Sequence, residues 1–116
     1  MRVLGIDPGT HRMGVGVVDS EGDELTMRHV EVIAPARRDP IAQRLHFLFT
    51  ALTRVIEDMA PSEVAIEQPF AGENKQAAMA LGHAQAVTML AAATYGLPVS
   101  SYAPRQVKQS VTDYGG

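Results

Sequence analysis

The chain has 116 residues and carries 10 Lys+Arg against 13 Asp+Glu, a formal net charge of −3, with 46% hydrophobic and 20% charged residues. That balance excludes disorder, which needs low hydrophobicity and high net charge, and it fits a single domain. No apolar run reaches the ~18 residues of a membrane span, and the absence of cysteine excludes disulfide and thiolate-metal chemistry, so a cytoplasmic protein is expected and the mild acidity alone argues against a nucleic-acid binder.

Residues 3–6 (VLGI) form a short apolar run that reads as a buried strand, closed by a tight turn at Asp7-Pro8-Gly9-Thr10. Residues 14–19 (GVGVVD) read as a second strand whose glycines permit close backbone approach. A turn at 20–23 leads into a third, partly alternating strand over 25–33, which predicts an antiparallel meander. Asp39 is a good helix N-cap and Pro40 a good first helical residue. Ile41, Leu45, Leu48, Leu52, Val55, Ile56 and Met59 then recur at helical spacing, predicting a long amphipathic helix ended by Pro61. Residues 62–67 (SEVAIE) read as a short strand with a carboxylate at its end. Residues 74–95 predict an alanine-rich helix stopped by Gly96 and Pro98. A last strand follows at 99–102, and 104–111 read as the opening of a third helix. The order β β β α β α β α implies an α/β fold: a mixed five-stranded sheet, meander first, then parallel strands added through right-handed crossovers.

Asp7 and Glu67 each end a strand. Singly they mean little, since a turn aspartate and a strand-end glutamate are both common. If their strands are parallel neighbours, the two carboxylates stand ~4.8 Å apart, at the edge where parallel sheets bind ligands. Like charges at that spacing repel, and a divalent cation between them removes the repulsion. Hard oxygen donors suit Mg²⁺ or Mn²⁺. A pair of such ions supports in-line displacement at a phosphodiester. The four histidines, His11, His29, His46 and His83, have no metal-ligand spacing. Arg12 is a cation close to both carboxylates in this reading.

Residues 1–10 (MRVLGIDPGT), 64–70 (VAIEQPF), Leu81-Gly82 with Gln85-Ala86, and 103–111 (APRQVKQSV) together resemble the RuvC-type Holliday-junction resolvases, in that family's order and spacing. The resemblance implies an RNase H-like fold and a homodimeric, Mg²⁺-dependent endonuclease, with two ions per site and Mn²⁺ as a substitute. Such an enzyme nicks opposed strands of four-way DNA junctions in recombination and repair. By the same resemblance Asp7 and Glu67 are catalytic metal ligands, and Phe70 packs against bases at the junction. Stacking of that kind is worth about 1–3 kcal/mol. The resemblance also implies that Arg105 and Lys108 face phosphate and that the helix face around Gly82 and Ala86 forms the dimer interface; Arg12, as a cation beside the two carboxylates, and Lys75 are further expected DNA contacts. RuvA/RuvB-type branch-migration proteins are the implied partners. The family's remaining metal ligands lie beyond the equivalent of Gly116, and Asp113 comes too early to replace them. Residues 1–116 therefore read as a single nuclease domain, C-terminally incomplete and lacking the family's C-terminal helix.

Three other readings compete. An actin-like kinase or ATPase shares the Asp-x-Gly-Thr turn but needs two such domains. A RuvX/YqgF-type nuclease of pre-ribosomal RNA shares the fold, though AIEQPF and RQVKQ fit it less well. A non-catalytic DNA-binding or dimerising remnant would keep Asp7 and Glu67 without their partners. Charge is uneven along the chain: residues 1–67 hold 7 basic and 11 acidic groups, whereas 71–112 hold Lys75, Arg105 and Lys108 against Glu73. Phosphate contacts are therefore expected mainly from the second half.

Overall fold

The computed structural model describes residues 1–67 and 74–102. Its elements are β1 (Arg2–Asp7), β2 (Met13–Glu21), β3 (Glu24–Ile33), α1 (Ile41–Met59), β4 (Glu63–Glu67), α2 (Lys75–Thr94) and β5 (Val99–Tyr102). The strands lie in the order β3-β2-β1-β4-β5. The first three pair antiparallel, and β4 and β5 add in parallel, as the sequence predicts. The helix expected over 104–111 lies outside the described residues. Among the described residues no helix is long and apolar enough to cross a membrane.

Local chemistry explains the boundaries. The β2–β3 hairpin closes at Glu21↔Glu24, with Gly22 at φ 59 as its first loop residue. That is the glycine position of a type II′ turn, whose twist matches the strands it joins. At α1 the expected cap differs by one residue. Pro40 itself occupies the N-cap position, at φ −56 and ψ 154, without a side-chain cap. Its carbonyl accepts the Arg44 N–H at 3.0 Å, while the Asp39 N–H closes a turn onto Ala36 at 3.1 Å. Asp39 thus sits too far out to cap. The helix ends at Ala60, left-handed at φ 49, directly before Pro61. For α2, the Asn74 side chain accepts the Gln76 and Ala77 N–H groups. The other end is a Schellman motif: Gly96 N–H bonds Ala93 and Leu97 N–H bonds Ala92, with Gly96 at φ 67.

Strand alternation turns Leu4, Ile6, Val15, Val17, Val64 and Ile66 to one face. Leu48, Leu52, Val55 and Ile56 of α1 and Ala84, Ala91 and Ala92 of α2 complete that core. The alanines let α2 lie close to its neighbours. Buried Thr88 satisfies its hydroxyl on the Ala84 carbonyl at 2.9 Å.

One charged cluster ties three elements together. Asp19 accepts from Arg2 Nε at 2.6 Å and Nη2 at 3.0 Å, and from Arg28 Nε at 2.7 Å. Arg2 also donates to the Met59 carbonyl at the end of α1, at 2.6 Å. A bulge delivers Arg28: the register passes from Val17↔His29 to Val18↔Met27, leaving Arg28 as the extra residue. Hydrogen bonds from Arg2 and then Arg28 hold the Asp19 carboxyl well below the usual carboxylate range.

Two outcomes follow for stability. Leu52→Ala, at a site 1% exposed, should cost about 2–5 kcal/mol in urea unfolding. Because the folded Asp19 is the stronger acid, its contribution is full above the unfolded aspartate value of about 4 and is lost progressively as pH falls below it. Melting curves of the native protein and Asp19→Asn should therefore differ most near neutrality and converge toward low pH; a constant gap would contradict this.

Candidate active site

Parallel strands β1 and β4 pair Val3↔Glu63 through Ile6↔Ile66. The next residue of each is Asp7 and Glu67. Both therefore share the sheet face opposite Ile6 and Ile66, the face turned away from α1 and α2. The parallel pairing on which the sequence reading is conditional is present, and it brings the two carboxylates together. Asp7 is exposed, whereas Glu67 is only 1% exposed.

Small residues floor this face. Asp7 pairs with Gly14, and Gly5 pairs with Gly16 on one side and Ala65 on the other. A Cβ on Gly14 would lie 3.3 Å from the Asp7 Cβ and 4.0 Å from its Oδ2. The open position beside the Asp7 carboxylate thus depends on Gly14. In the loop that follows β1, a Cβ on Gly9 would lie 2.2 Å from the Arg12 carbonyl oxygen. Only glycine permits that turn, which packs with Pro8 and Thr10 buried.

The donor set fits a hard divalent cation. Two carboxylates on neighbouring strands share one face, and no side chain on Gly14 crowds them. Among the described residues no group of three or more His, Cys, Asp or Glu completes a metal site. His29 is engaged with Glu31 at 2.7 Å, and His11 with Arg44 at 3.1 Å.

The topology also sorts charge in a way the linear sequence hides. The β1–β2 loop, the β3–α1 loop, and the starts of α1 and α2 all lie at the edge where Asp7 and Glu67 end. They bring His11, Arg12, Arg37, Arg38, Arg44 and Lys75 there, against Glu31 and Asp39 besides the two carboxylates themselves. The opposite edge collects Asp19, Glu21, Asp23, Glu24, Glu57, Asp58 and Glu63 against Arg2 and Arg28, and so remains net acidic. The acidic balance of residues 1–67 is thus concentrated away from the carboxylate edge. Arg12 and Lys75 are both exposed at the carboxylate edge. Phe70, Arg105 and Lys108 lie outside the described residues.

Gly82 and Ala86 are exposed on the outer side of α2, with Met79 at 64%, Met89 at 48% and Leu90 at 60%. A Cβ on Gly82 would meet nothing within 4 Å, so packing within this chain does not require glycine there. Helical periodicity passed over Arg44, since a charged residue between core positions carries no apolar signal. Its one available signal was its place, a cation in the first turn of a helix, where the macrodipole disfavours positive charge.

The pattern of the family described as crossover junction endodeoxyribonuclease RuvC matches residues 3–116. The crossover junction endodeoxyribonuclease RuvC of Dehalococcoides mccartyi is 46% identical over 115 residues, covering 99% of this chain and 69% of that protein. The structure of T. thermophilus RuvC in complex with Holliday junction substrate superposes with a TM-score of 0.87 at 32% identity, covering 100% of this chain and 71% of that one. The yeast mitochondrial Holliday junction resolvase Ydc2, at TM-score 0.61 and 13% identity, covers 96% of this chain and 56% of its own and shares the fold alone. The mixed sheet is RNase H-like, its two carboxylates stand on adjacent parallel strands, and the family pattern runs almost end to end: the chain belongs to the RuvC family of crossover junction endodeoxyribonucleases.

Proposed function

We propose that residues 1–116 form one nuclease domain in which Asp7 and Glu67 are catalytic metal ligands for hydrolysis of a DNA strand at a four-way junction. The observation that carries this reading is their meeting on one sheet face at the ends of adjacent parallel strands. Mg²⁺, or Mn²⁺ in its place, suits the donors, with two ions per site. Bound there, such ions supply Lewis acidity at the phosphate and an activated water.

The chain's own residues do the rest. Burial of Glu67 restricts its carboxylate to few orientations, and Asp7 presents its carboxylate at the open side. Gly14 keeps the space beside Asp7 clear. Arg12 and Lys75 lie where the DNA backbone passes, and Arg105 and Lys108 extend the phosphate contacts. Phe70, three residues beyond Glu67, stacks on a base at the junction.

Cutting two opposed strands calls for two sites related by a two-fold axis. The outer face of α2 supports that arrangement: Gly82 and Ala86 allow close approach, and Met79, Met89 and Leu90 offer apolar area on the same helix. A homodimer on four-way junction DNA, fed by RuvA/RuvB-type branch migration in the cytoplasm, is the resulting picture.

Asp7→Asn and Glu67→Gln should each lower Mg²⁺-dependent junction cleavage by about 10²–10³-fold or more, as expected when charge stabilisation at the reacting phosphate is lost. Binding of the uncut junction should persist in gel-shift assays. Full cleavage by either variant would remove it from the site. Leu90→Asp should shift the protein from dimer to monomer in sedimentation at micromolar concentration, with little change in melting temperature. A dimer that persists would move the interface elsewhere.

A further inference from the structure

We propose that Arg44, held against the ring of His11, is a DNA phosphate-binding residue at the sheet edge where the two carboxylates end. The proposal rests on the nuclease reading above and extends its interface to a helix that the sequence marks only as core.

Arg44 differs from the other arginines with recorded partners. Arg2 and Arg28 both pair with Asp19. Arg44 has no carboxylate within 4.0 Å among the described residues. Its Nε is buried there without an acceptor. Its Nη1 lies 3.1 Å from His11 Nδ1 and 3.5 Å from His11 Nε2. A guanidinium only donates, so the closer ring nitrogen, Nδ1, accepts and the ring proton sits on Nε2. Among the described residues the pair therefore ends in N–H donors with no acceptor of its own.

Its placement is costly without a ligand. Arg44 lies in the first turn of α1, where the helix dipole is positive and a cation is disfavoured. It is also partly buried, which removes some of its hydration. An anion would offset both costs, because a guanidinium fork matches two phosphate oxygens. The anion on hand is the DNA backbone. His11 lies four residues after Asp7 on a loop fixed by Gly9. The neighbouring β3–α1 loop contributes Arg37 and Arg38 to the same edge, both exposed, with Asp39 following them as a partly buried counter-charge. A strand whose scissile phosphate reaches Asp7 and Glu67 would continue across this cationic stretch.

The test uses the cleavage-deficient Asp7→Asn protein as parent and a labelled synthetic four-way junction without divalent metal. Affinity is measured over a salt series. Adding Arg44→Gln should weaken binding about 5- to 10-fold and make the log Kd against log salt slope shallower by about 1, the signature of one lost phosphate contact. Arg44→Lys, which keeps the charge, should retain the slope. Arg54→Gln removes the same charge from an exposed position ten residues along α1, about 15 Å away, and should change neither. A purely structural role for Arg44 would lower affinity with the slope intact, and that result overturns the proposal. So does an Arg44→Gln protein indistinguishable from its parent. A parent that fails to bind the junction overturns the nuclease reading and this inference together, whereas a binding parent with an unaffected Arg44→Gln variant overturns this inference alone.

Discussion

Side chains alternate along a strand, so the register in which β1 and β4 pair decides whether Asp7 and Glu67 meet or lie on opposite faces of the sheet. A slip of one residue would separate them. The pairing is held from the far end of the strands. The Ser62 N–H and hydroxyl both donate to the Arg2 carbonyl, at 2.8 and 2.9 Å. Arg2 in turn reaches the Met59 carbonyl, anchoring the end of α1 to the start of β1. The apolar pairs Leu4↔Val64 and Ile6↔Ile66 must face the helices, and that requirement fixes the same register. The carboxylate geometry is therefore set by contacts that themselves touch no substrate.

The face that carries the carboxylates is built differently from the core face. Large aliphatic side chains fill the side under the helices, whereas Gly5, Gly14, Gly16 and Ala65 floor the other. Glycine within a strand weakens it by removing side-chain packing. Here the loss is concentrated where free space is needed. Stability comes from one surface of the sheet and the proposed chemistry uses the other, so the demands of packing and of ligand access do not compete for the same positions.

Much of this was legible in the sequence. The apolar runs before Asp7 and Glu67, separated by a helix-length amphipathic stretch, made the juxtaposition conditional on parallel pairing, and that pairing is present. Helix ends were legible where glycine or asparagine enforces them, as at Asn74 and Gly96. Asp39 was misplaced because the rule for a good cap followed by proline ignores the option that proline itself occupies the cap. Gly82 was assigned to a dimer face by family resemblance alone, since an alanine-rich helix has no distinct apolar stripe to say which side faces the sheet. The sorting of charge was invisible because strand direction reverses along the meander. Neighbours in sequence such as Asp19 and Arg12 end at opposite edges, and distant residues such as His11 and Arg44 come into contact.

That sorting gives a molecule of net charge −3 a permanent dipole along its strands. Near a polyanion the net charge is repelled, yet the dipole feels a torque that turns the carboxylate edge forward before contact. Orientation and repulsion are thus carried by different moments of one charge distribution. Ionic strength acts on both within a Debye length of about 8 Å at physiological salt. Encounters then begin weakly repelled but already aligned, a form of steering that selects the productive approach rather than hastening every collision.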